Sequence, residues 1–193
     1  MKIIFATGNK GKLKEVRNIF SDTKFEIISF DEIEFTDEII EDGNTFEENA
    51  FIKADTIFKK FNIPVIADDS GLAVEQLNGE PGIYSARYAG EKATYLDNNL
   101  KLISELKNYP EPHSAKFVCC AVFVDGTNRI SVLGELPGKI IKEFKGEHGF
   151  GFDPIFVPDG FNFTLAELGL EEKNKISHRA KAFSELKEKL LNL

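Results

Sequence analysis

The sequence contains only two cysteines, Cys119 and Cys120, which are neighbours inside an apolar run. Successive side chains of a strand point to opposite faces of a sheet, so adjacent cysteines are poorly placed to form a disulfide with each other. This shortage of thiols excludes a disulfide-stabilised scaffold and a cysteine-ligated zinc site. We therefore predict two reduced, buried cysteines in a reducing compartment.

Long apolar runs are missing as well. The longest one, 117–124, has eight residues, whereas a membrane-spanning helix needs about 20. The apolar stretch after Lys2 ends at Ala6, which is too short for the core of a signal peptide. We therefore expect a cytoplasmic protein that does not associate with membranes.

Positive charge is not in excess. The 24 lysines and arginines stand against 32 acidic residues, a formal net charge of -8, which argues against a protein that coats nucleic acid. Residues 1–20 carry five basic side chains and one acidic, whereas residues 22–48 carry eleven acidic side chains and one basic. Because a surface that serves only solubility mixes its signs, this segregation indicates charges placed for binding.

The apolar periodicity alternates between strand and helix patterns, which predicts an α/β fold with a mixed sheet flanked by helices. The predicted strands are 2–6, 64–68, 72–75, 116–125 and 130–136, with Gly71 separating the second from the third and the last two forming a hairpin. The predicted helices follow Asn9, begin at Thr45 with a capping box, and cover 94–107 and 177–191. No linker or repeat interrupts the chain, so we predict one domain, 1–193, of two lobes with a central cleft.

Three lysines, Lys10, Lys12 and Lys14, follow the turn Thr7–Asn9 at the start of the first helix. Cations are disfavoured there because the helix N-terminus carries a partial positive charge. A bound anion, most plausibly phosphate, would reconcile the lysines with this position. The alternative is a solvated basic helix start, and the spacing is not that of a Walker A loop.

Two consecutive carboxylates, Asp68 and Asp69, end an apolar strand, where α/β folds usually place their ligands. Adjacent strand residues diverge, so one carboxylate could serve a divalent ion or a water while the other supports it. Glu41 or Asp42, in the acidic stretch, could complete a magnesium site. The alternatives are a strand-ending turn for the pair and plain solvated surface for the acids.

Two further motifs are GFGFDPIF, with Phe150 and Phe152, and EEKNKISHRAKAF, with Lys173, His178 and Arg179. Glycines let a backbone approach a flat ligand on which a phenylalanine ring could stack. Cations at a second helix start again favour a polyphosphate. Core packing of the rings is the alternative, because the chain has 18 phenylalanines and no tryptophan.

Together, TGNKGK (7–12), ADDSGL (67–72), PGIYSARYAG (81–90), FGFDP (150–154) and EKNKISHR (172–179) resemble the inosine triphosphate pyrophosphatase family over nearly the whole chain. The resemblance implies an elongated mixed α/β sheet, a homodimer, magnesium, and hydrolysis of ITP, dITP and XTP to the monophosphate and pyrophosphate. Two alternatives are a regulatory protein that binds nucleotides without cleaving them and a pyrophosphatase for other modified nucleotides.

The resemblance also implies roles for individual residues. Asp69 is the general base and a metal ligand, Glu41 is the second ligand, and Asp68 and Arg87 give support. The triphosphate is held by Thr7, Gly8, Asn9, Lys10, Gly11, Lys12 and Lys53, and Ser70 touches the substrate. The nucleoside side of the pocket is formed by Phe150, Gly151, Phe152, Asp153, Lys173, His178 and Arg179.

Overall fold

The computed structural model describes residues 1–193 as six strands and five α-helices joined by loops and short 3₁₀ turns. The strands are β1 (Lys2–Phe5), β2 (Glu26–Ile28), β3 (Val65–Val74), β4 (His113–Val124), β5 (Arg129–Ile140) and β6 (Phe156–Pro158). The helices are α1 (Lys10–Ile19), α2 (Phe46–Phe61), α3 (Tyr95–Glu105), α4 (Leu170–Ile176) and α5 (His178–Leu191).

All six strands belong to one sheet in the order β2-β1-β3-β4-β5-β6. Strand β1 runs parallel to both of its neighbours, with Ile3 opposite Ile27 of β2 and Ile4 opposite Val65 of β3. Strand β6 pairs antiparallel with β5, with Lys139 opposite Val157. The predicted mixed α/β sheet flanked by helices is confirmed.

The predicted break at Gly71 is wrong, because Val65–Val74 is one continuous strand. A glycine is needed here for space: a Cβ at Gly71 would lie 2.1 Å from the carbonyl oxygen of Gly82. Strands β2 and β6, with three residues each, and helix α4, with seven, are too short to show a period and were not predicted. The predicted hairpin is β4 and β5, and both strands are longer than expected.

Contact clustering divides the chain into two compact units, and β3, β4 and β5 each contribute residues to both. Unit 1 comprises Met1–Asp69, Cys119–Gly134 and Arg179–Leu193. Its core has two clusters of fully buried side chains: one includes Ile3, Phe5, Phe123 and Phe183, and the other includes Ile4, Ala54, Ile57 and Cys120. Both cysteines are buried and unoxidised, as predicted.

Unit 2 comprises Ser70–Val118 and Glu135–His178. Its core cluster includes Leu72, Leu102, Phe152, Ile155 and Phe156. No helix of either unit is long and apolar enough to cross a membrane. One domain with a cleft between two lobes stays a prediction.

Local signals explain where the helices begin. Thr45 caps α2 by accepting the N–H of Glu48 at 3.1 Å, whereas the Glu48 carboxylate accepts the N–H of Asn44 rather than that of Thr45. Helix α3 begins with a complete capping box between Thr94 and Asp97. Such side-chain acceptors satisfy N–H groups that have no partner within the helix.

Candidate functional site

The start of α1 is shaped by Asn9. Its side-chain oxygen accepts the N–H groups of Gly11 at 2.8 Å and Lys12 at 3.1 Å, and its own N–H donates to Thr7 Oγ1 at 3.2 Å. The first turn contains no acidic residue. Asn9 therefore acts as the helix cap here, and a Cβ added at the neighbouring Gly8 would meet no other atom within 4 Å.

Asp68, in β3, is a fully buried carboxylate that meets two cations. Its Oδ2 lies 2.9 Å from Lys12 Nζ and 3.4 Å from Arg179 Nε. The Cys119 thiol donates to the same oxygen at 3.8 Å. These charge-assisted contacts fix the ammonium group of Lys12 against Asp68. The supporting function of Asp68 stays a prediction.

Glu15 is a buried acid that the sequence reasoning missed. Its carboxylate accepts Arg179 Nη1 at 2.6 Å, and both side chains are almost fully buried. Burial alone would lower the pKa of Arg179, but Glu15 and then Asp68 outweigh it and raise that pKa. The sequence contains one indication of this role: Glu15 is the only negatively charged side chain among the basic residues of 1–20.

Arg179 lies in unit 1 beside Lys12 and Asp68, whereas the sequence reasoning assigned it to the nucleoside side. Its guanidinium group is engaged by two carboxylates and is 2% exposed. In this arrangement it neutralises the buried acids Glu15 and Asp68.

Asp69, next in β3, has a different environment from Asp68. Asn49 Nδ2 donates to its Oδ2 at 3.1 Å, and Lys53 Nζ lies 4.0 Å from its Oδ1. Burial raises the pKa of Asp69, and the nearby Lys53 and Lys12 only partly offset this. A carboxylate with a raised pKa and some access to solvent is suited to accept a proton near neutral pH.

Asn49 is the second residue that the sequence reasoning missed. It is buried in α2, one turn before Lys53, and its Oδ1 accepts the N–H of Gly43 at 2.9 Å. It therefore links the end of the acidic stretch to Asp69. The available signal was a polar residue beside Ala50 on the apolar face of α2.

Glu41 and Asp69 converge on one ammonium group. Lys53 forms an ion pair with Glu41 and lies within 4.0 Å of Asp69. Asp42 is exposed, so the geometry favours Glu41 over Asp42 as the acid beside Asp69. No group of three or more histidine, cysteine or acidic side chains suited to a metal occurs in the structure. The two carboxylates fit a cation such as Mg²⁺, which takes one or two protein carboxylates and completes its coordination with phosphate and water.

Unit 2 contains a second set of the predicted residues, the loop Phe150–Asp153 and Lys173. The Asp153 carboxylate accepts the N–H of Phe150 at 2.9 Å and Lys173 Nζ at 2.7 Å. The same ammonium group lies 4.6 Å from the centre of the Phe150 ring. A Cβ at Gly149 would lie 2.1 Å from Asp153 Oδ2, so the loop closes tightly and fixes the half-buried Phe150 ring.

The remaining predicted residues of unit 2 are placed as follows. Phe152 is 3% exposed and packs in the core, so Phe150 is the ring of the two that a flat ligand can reach. His178 is buried and stacks on Phe117, with ring centroids 4.7 Å apart. Arg87 lies over the Tyr84 ring and 3.7 Å from Glu91. Ser70, half-buried, follows Asp69 in β3.

The fold and these residues define a class: an α/β protein with lysines at a helix start and buried paired carboxylates, a combination suited to phosphorylated ligands and divalent cations. The chain belongs to the Ham1 family, whose model matches residues 3–189.

Individual relatives agree with this membership. The chain is 49% identical over 185 residues to a dITP/XTP pyrophosphatase of Bacillus subtilis, covering 95% of this chain and 93% of the relative. It is 47% identical over 193 residues to a dITP/XTP pyrophosphatase of Caldanaerobacter subterraneus, covering 99% and 96%.

Solved structures agree as well. A HAM1 protein from Coxiella burnetii superposes with a TM-score of 0.91 at 36% identity, covering 100% of both chains. The Ham1 protein of Staphylococcus aureus superposes with a TM-score of 0.88 at 40% identity, covering 100% of this chain and 99% of that one.

Proposed function

We propose that this protein hydrolyses non-canonical purine nucleoside triphosphates, namely dITP, ITP and XTP, to the monophosphate and pyrophosphate, and so removes them from the nucleotide pool. The observation that carries the proposal is Asp69, a buried carboxylate of raised pKa held by Asn49 beside Lys53. The relatives from Bacillus subtilis and Caldanaerobacter subterraneus are dITP/XTP pyrophosphatases, which supports the same substrates.

In the proposed reaction, Asp69 accepts a proton from a water molecule whose oxygen attacks the α-phosphorus. The bond from the α-phosphorus to the oxygen bridging to the β-phosphate breaks, and pyrophosphate leaves with that electron pair. Lys12 and Lys53 neutralise the charge that grows on the phosphates. Thr7–Lys12 bind the triphosphate, and Ser70 and Arg87 assist on the substrate side.

For the nucleoside end we propose Phe150 as the stacking surface, with Gly151, Asp153, Lys173 and His178 around the base and Phe152 as its packing support. A site that hydrogen-bonds the 6-oxo group of hypoxanthine or xanthine leaves its donors unmatched against the 6-amino group of adenine. Such a mismatch discriminates by several kcal/mol.

Magnesium is the proposed cofactor, held by Glu41 and Asp69. When bound, it supplies positive charge that stabilises the transition state. Chelation with EDTA should abolish turnover, and added Mg²⁺ should restore it. Glu41→Gln should raise the Mg²⁺ concentration needed for half-maximal rate, whereas the matched variant Asp42→Asn should leave it unchanged. An equal effect of both variants would show that Glu41 is not a ligand of Mg²⁺.

The products distinguish the proposal from its alternatives. The purified protein is incubated with Mg²⁺ and ITP, dITP, XTP, GTP, ATP or dUTP, and pyrophosphate and orthophosphate are measured separately. We expect pyrophosphate as the first product, with ITP, dITP and XTP preferred. Orthophosphate first would refute attack at the α-phosphorus; binding without turnover would favour a regulatory protein, and preference for dUTP would favour another pyrophosphatase.

We also propose a cytoplasmic homodimer, on the basis of the resemblance described above. Light scattering of the purified chain should give twice the mass of 21.7 kDa. A monomeric mass at micromolar concentration would contradict this part of the proposal.

A further inference from the structure

Helix α3 contains two adjacent buried asparagines, Asn98 and Asn99, each 2% exposed. Polar side chains are rarely buried unless they make hydrogen bonds, and both of these reach outside their helix. Asn98 Oδ1 accepts the N–H of Ala89 at 2.7 Å, and its Nδ2 donates to the carbonyl of Ala86 at 3.0 Å. It therefore ties α3 to the segment 82–89.

Asn99 ties the same helix to a different loop. Its Nδ2 donates to the carbonyl of Gly151 at 2.8 Å and to that of Tyr95, one turn earlier, at 2.6 Å. Carbonyl oxygens only accept hydrogen bonds, so the side-chain atom of Asn99 that faces both of them is the amide nitrogen. Its Oδ1 is buried and makes no hydrogen bond.

The loop that Asn99 holds lies outside the regular strands and helices. Gly149 and Gly151 have φ values of +79° and +65°, a conformation that leaves a loop outside regular strand or helix pairing. On one side, Asp153 binds the N–H of Phe150 and the ammonium group of Lys173. On the other side, the hydrogen bond from Asn99 holds the carbonyl of Gly151. The hydrogen bond from Asn99 is thus one of the contacts that fix this loop, together with the burial of Phe152 and the contact of the Phe150 ring with Tyr95.

We propose that Asn99 is a positioning residue for the nucleoside end of the substrate, acting through Gly151 on the Phe150 ring. Its neighbour Asn98 holds the segment 82–89, which carries Arg87, through its hydrogen bonds to Ala86 and Ala89. The kinetic effects expected of this role rest on the proposed function. The structural part of the proposal does not: α3 holds the segments 82–89 and 149–153 through two adjacent asparagine side chains, and this can be tested without substrate.

The first test is hydrogen exchange of the free protein. In Asn99→Ala, the amides of 149–153 should exchange at least about fivefold faster, because the loop loses the hydrogen bond to the carbonyl of Gly151. In Asn98→Ala, faster exchange should appear in 85–90 instead, so each variant is the control for the other. Unchanged exchange in 149–153, or equal changes in both segments for both variants, would overturn the proposal.

The second test separates positioning from a general structural effect. With ITP, Asn99→Ala should raise KM about tenfold and leave kcat within about twofold, since one net hydrogen bond corresponds to a factor of this size. The inhibition constant of inorganic tripolyphosphate, which has no base, should stay within about twofold. A parallel rise in both constants, or a fall in kcat at constant KM, would contradict the role of Asn99.

Asn99→Ser provides a milder variant if the alanine variant does not fold. A serine hydroxyl can still donate to the carbonyl of Tyr95 within the helix, but it is too short to reach Gly151. It should therefore reproduce the faster exchange of 149–153 and the raised KM. If the wild-type protein turns over no nucleotide, the proposed function is refuted. The exchange measurement still shows whether Asn99 holds the loop 149–153 in place.

Discussion

Asp68 and Asp69 show how adjacent residues of one type acquire different chemistry. Side chains alternate along a strand, so the two carboxylates leave β3 in different directions. Asp68 meets Lys12 and Arg179. Asp69 meets the neutral amide of Asn49, and burial raises its pKa although Lys53 and Lys12 partly offset this. The raised pKa suits Asp69 to accept a proton.

Asp69→Asn should lower kcat about 100- to 10,000-fold without unfolding the protein, because the amide cannot accept the proton. The wild-type rate should also fall with decreasing pH at a value above the ordinary carboxyl pKa of 3.8, since the raised pKa keeps Asp69 protonated there. The pH profile of kcat/KM and the circular dichroism spectrum test this. Asp42→Asn is the control, and a variant rate near that of wild type would refute the base assignment.

His113 leads to a prediction about stability. Its ring is 1% exposed, and neither nitrogen makes a hydrogen bond. Burial and the nearby Lys142 lower its pKa, and Glu111 only partly offsets them. The folded protein therefore binds fewer protons here than the unfolded chain, and stability is lost as the pH falls through the unfolded value of about 6.5.

Urea unfolding at about pH 8 and about pH 5 should show this loss in wild type and a smaller one in His113→Gln. His148→Gln, at an exposed histidine, should behave like wild type. An identical pH dependence of the free energy of unfolding in wild type and His113→Gln would show that this histidine does not titrate on unfolding.

Strand β3 shows that an element can continue through a residue that usually interrupts it. Gly71 lies within the strand because its missing side chain lets the carbonyl of Gly82 approach. The neighbouring N–H of Leu72 donates to Ser85 Oγ at 2.9 Å, and Ala73 forms a bridge with Pro81. The glycine therefore permits a close contact between β3 and the segment 81–85.

Gly71→Ala should destabilise the protein by about 2–3 kcal/mol, because a Cβ 2.1 Å from the Gly82 oxygen forces the backbones apart. The free energy of unfolding by urea measures this, with Thr127→Ala in the exposed 125–128 turn as the control. A loss as small as that of the control would mean that the segment 81–85 moves away at little cost.

At the scale of the whole molecule, the segregation of charge has a structural explanation. Lys12 and Lys53 from different elements of unit 1 meet the buried carboxylates Asp68 and Asp69 and the half-buried carboxylate Glu41. Other acids of 22–48 pair at the surface, as Asp37 does with Lys60. Lys12 and Lys53 thus both act on one carboxylate, Asp69, in a protein whose net charge is -8.

This distribution predicts that the protein does not bind nucleic acid in bulk. A net negative surface repels a polyanion that approaches within about a Debye length, whereas a single nucleotide can enter a local cationic site. Fluorescence anisotropy of a labelled 20-base-pair duplex should show no binding at micromolar protein and about 0.15 M salt. Salt-dependent binding to this duplex would refute the prediction.

The sequence by itself determined the mixed α/β class, the positions of the long helices and the candidates Lys12 and Asp69. These follow from periodicity, capping residues and charges at unusual positions, all of which are local. Lys53 was a candidate only through the family resemblance. Short elements such as β6 and α4 were not predicted, because three to seven residues are too few to show a periodic pattern of apolar side chains.

Only the tertiary structure decided which charges meet. Glu15 and Arg179 are 164 positions apart in the chain, and no local pattern links them. The same holds for Asn49 with Asp69 and Asn99 with Gly151. The physical reason is that burial and pairing, which set whether a carboxylate is a fixed anion or a proton acceptor, depend on neighbours brought together by packing and not by sequence.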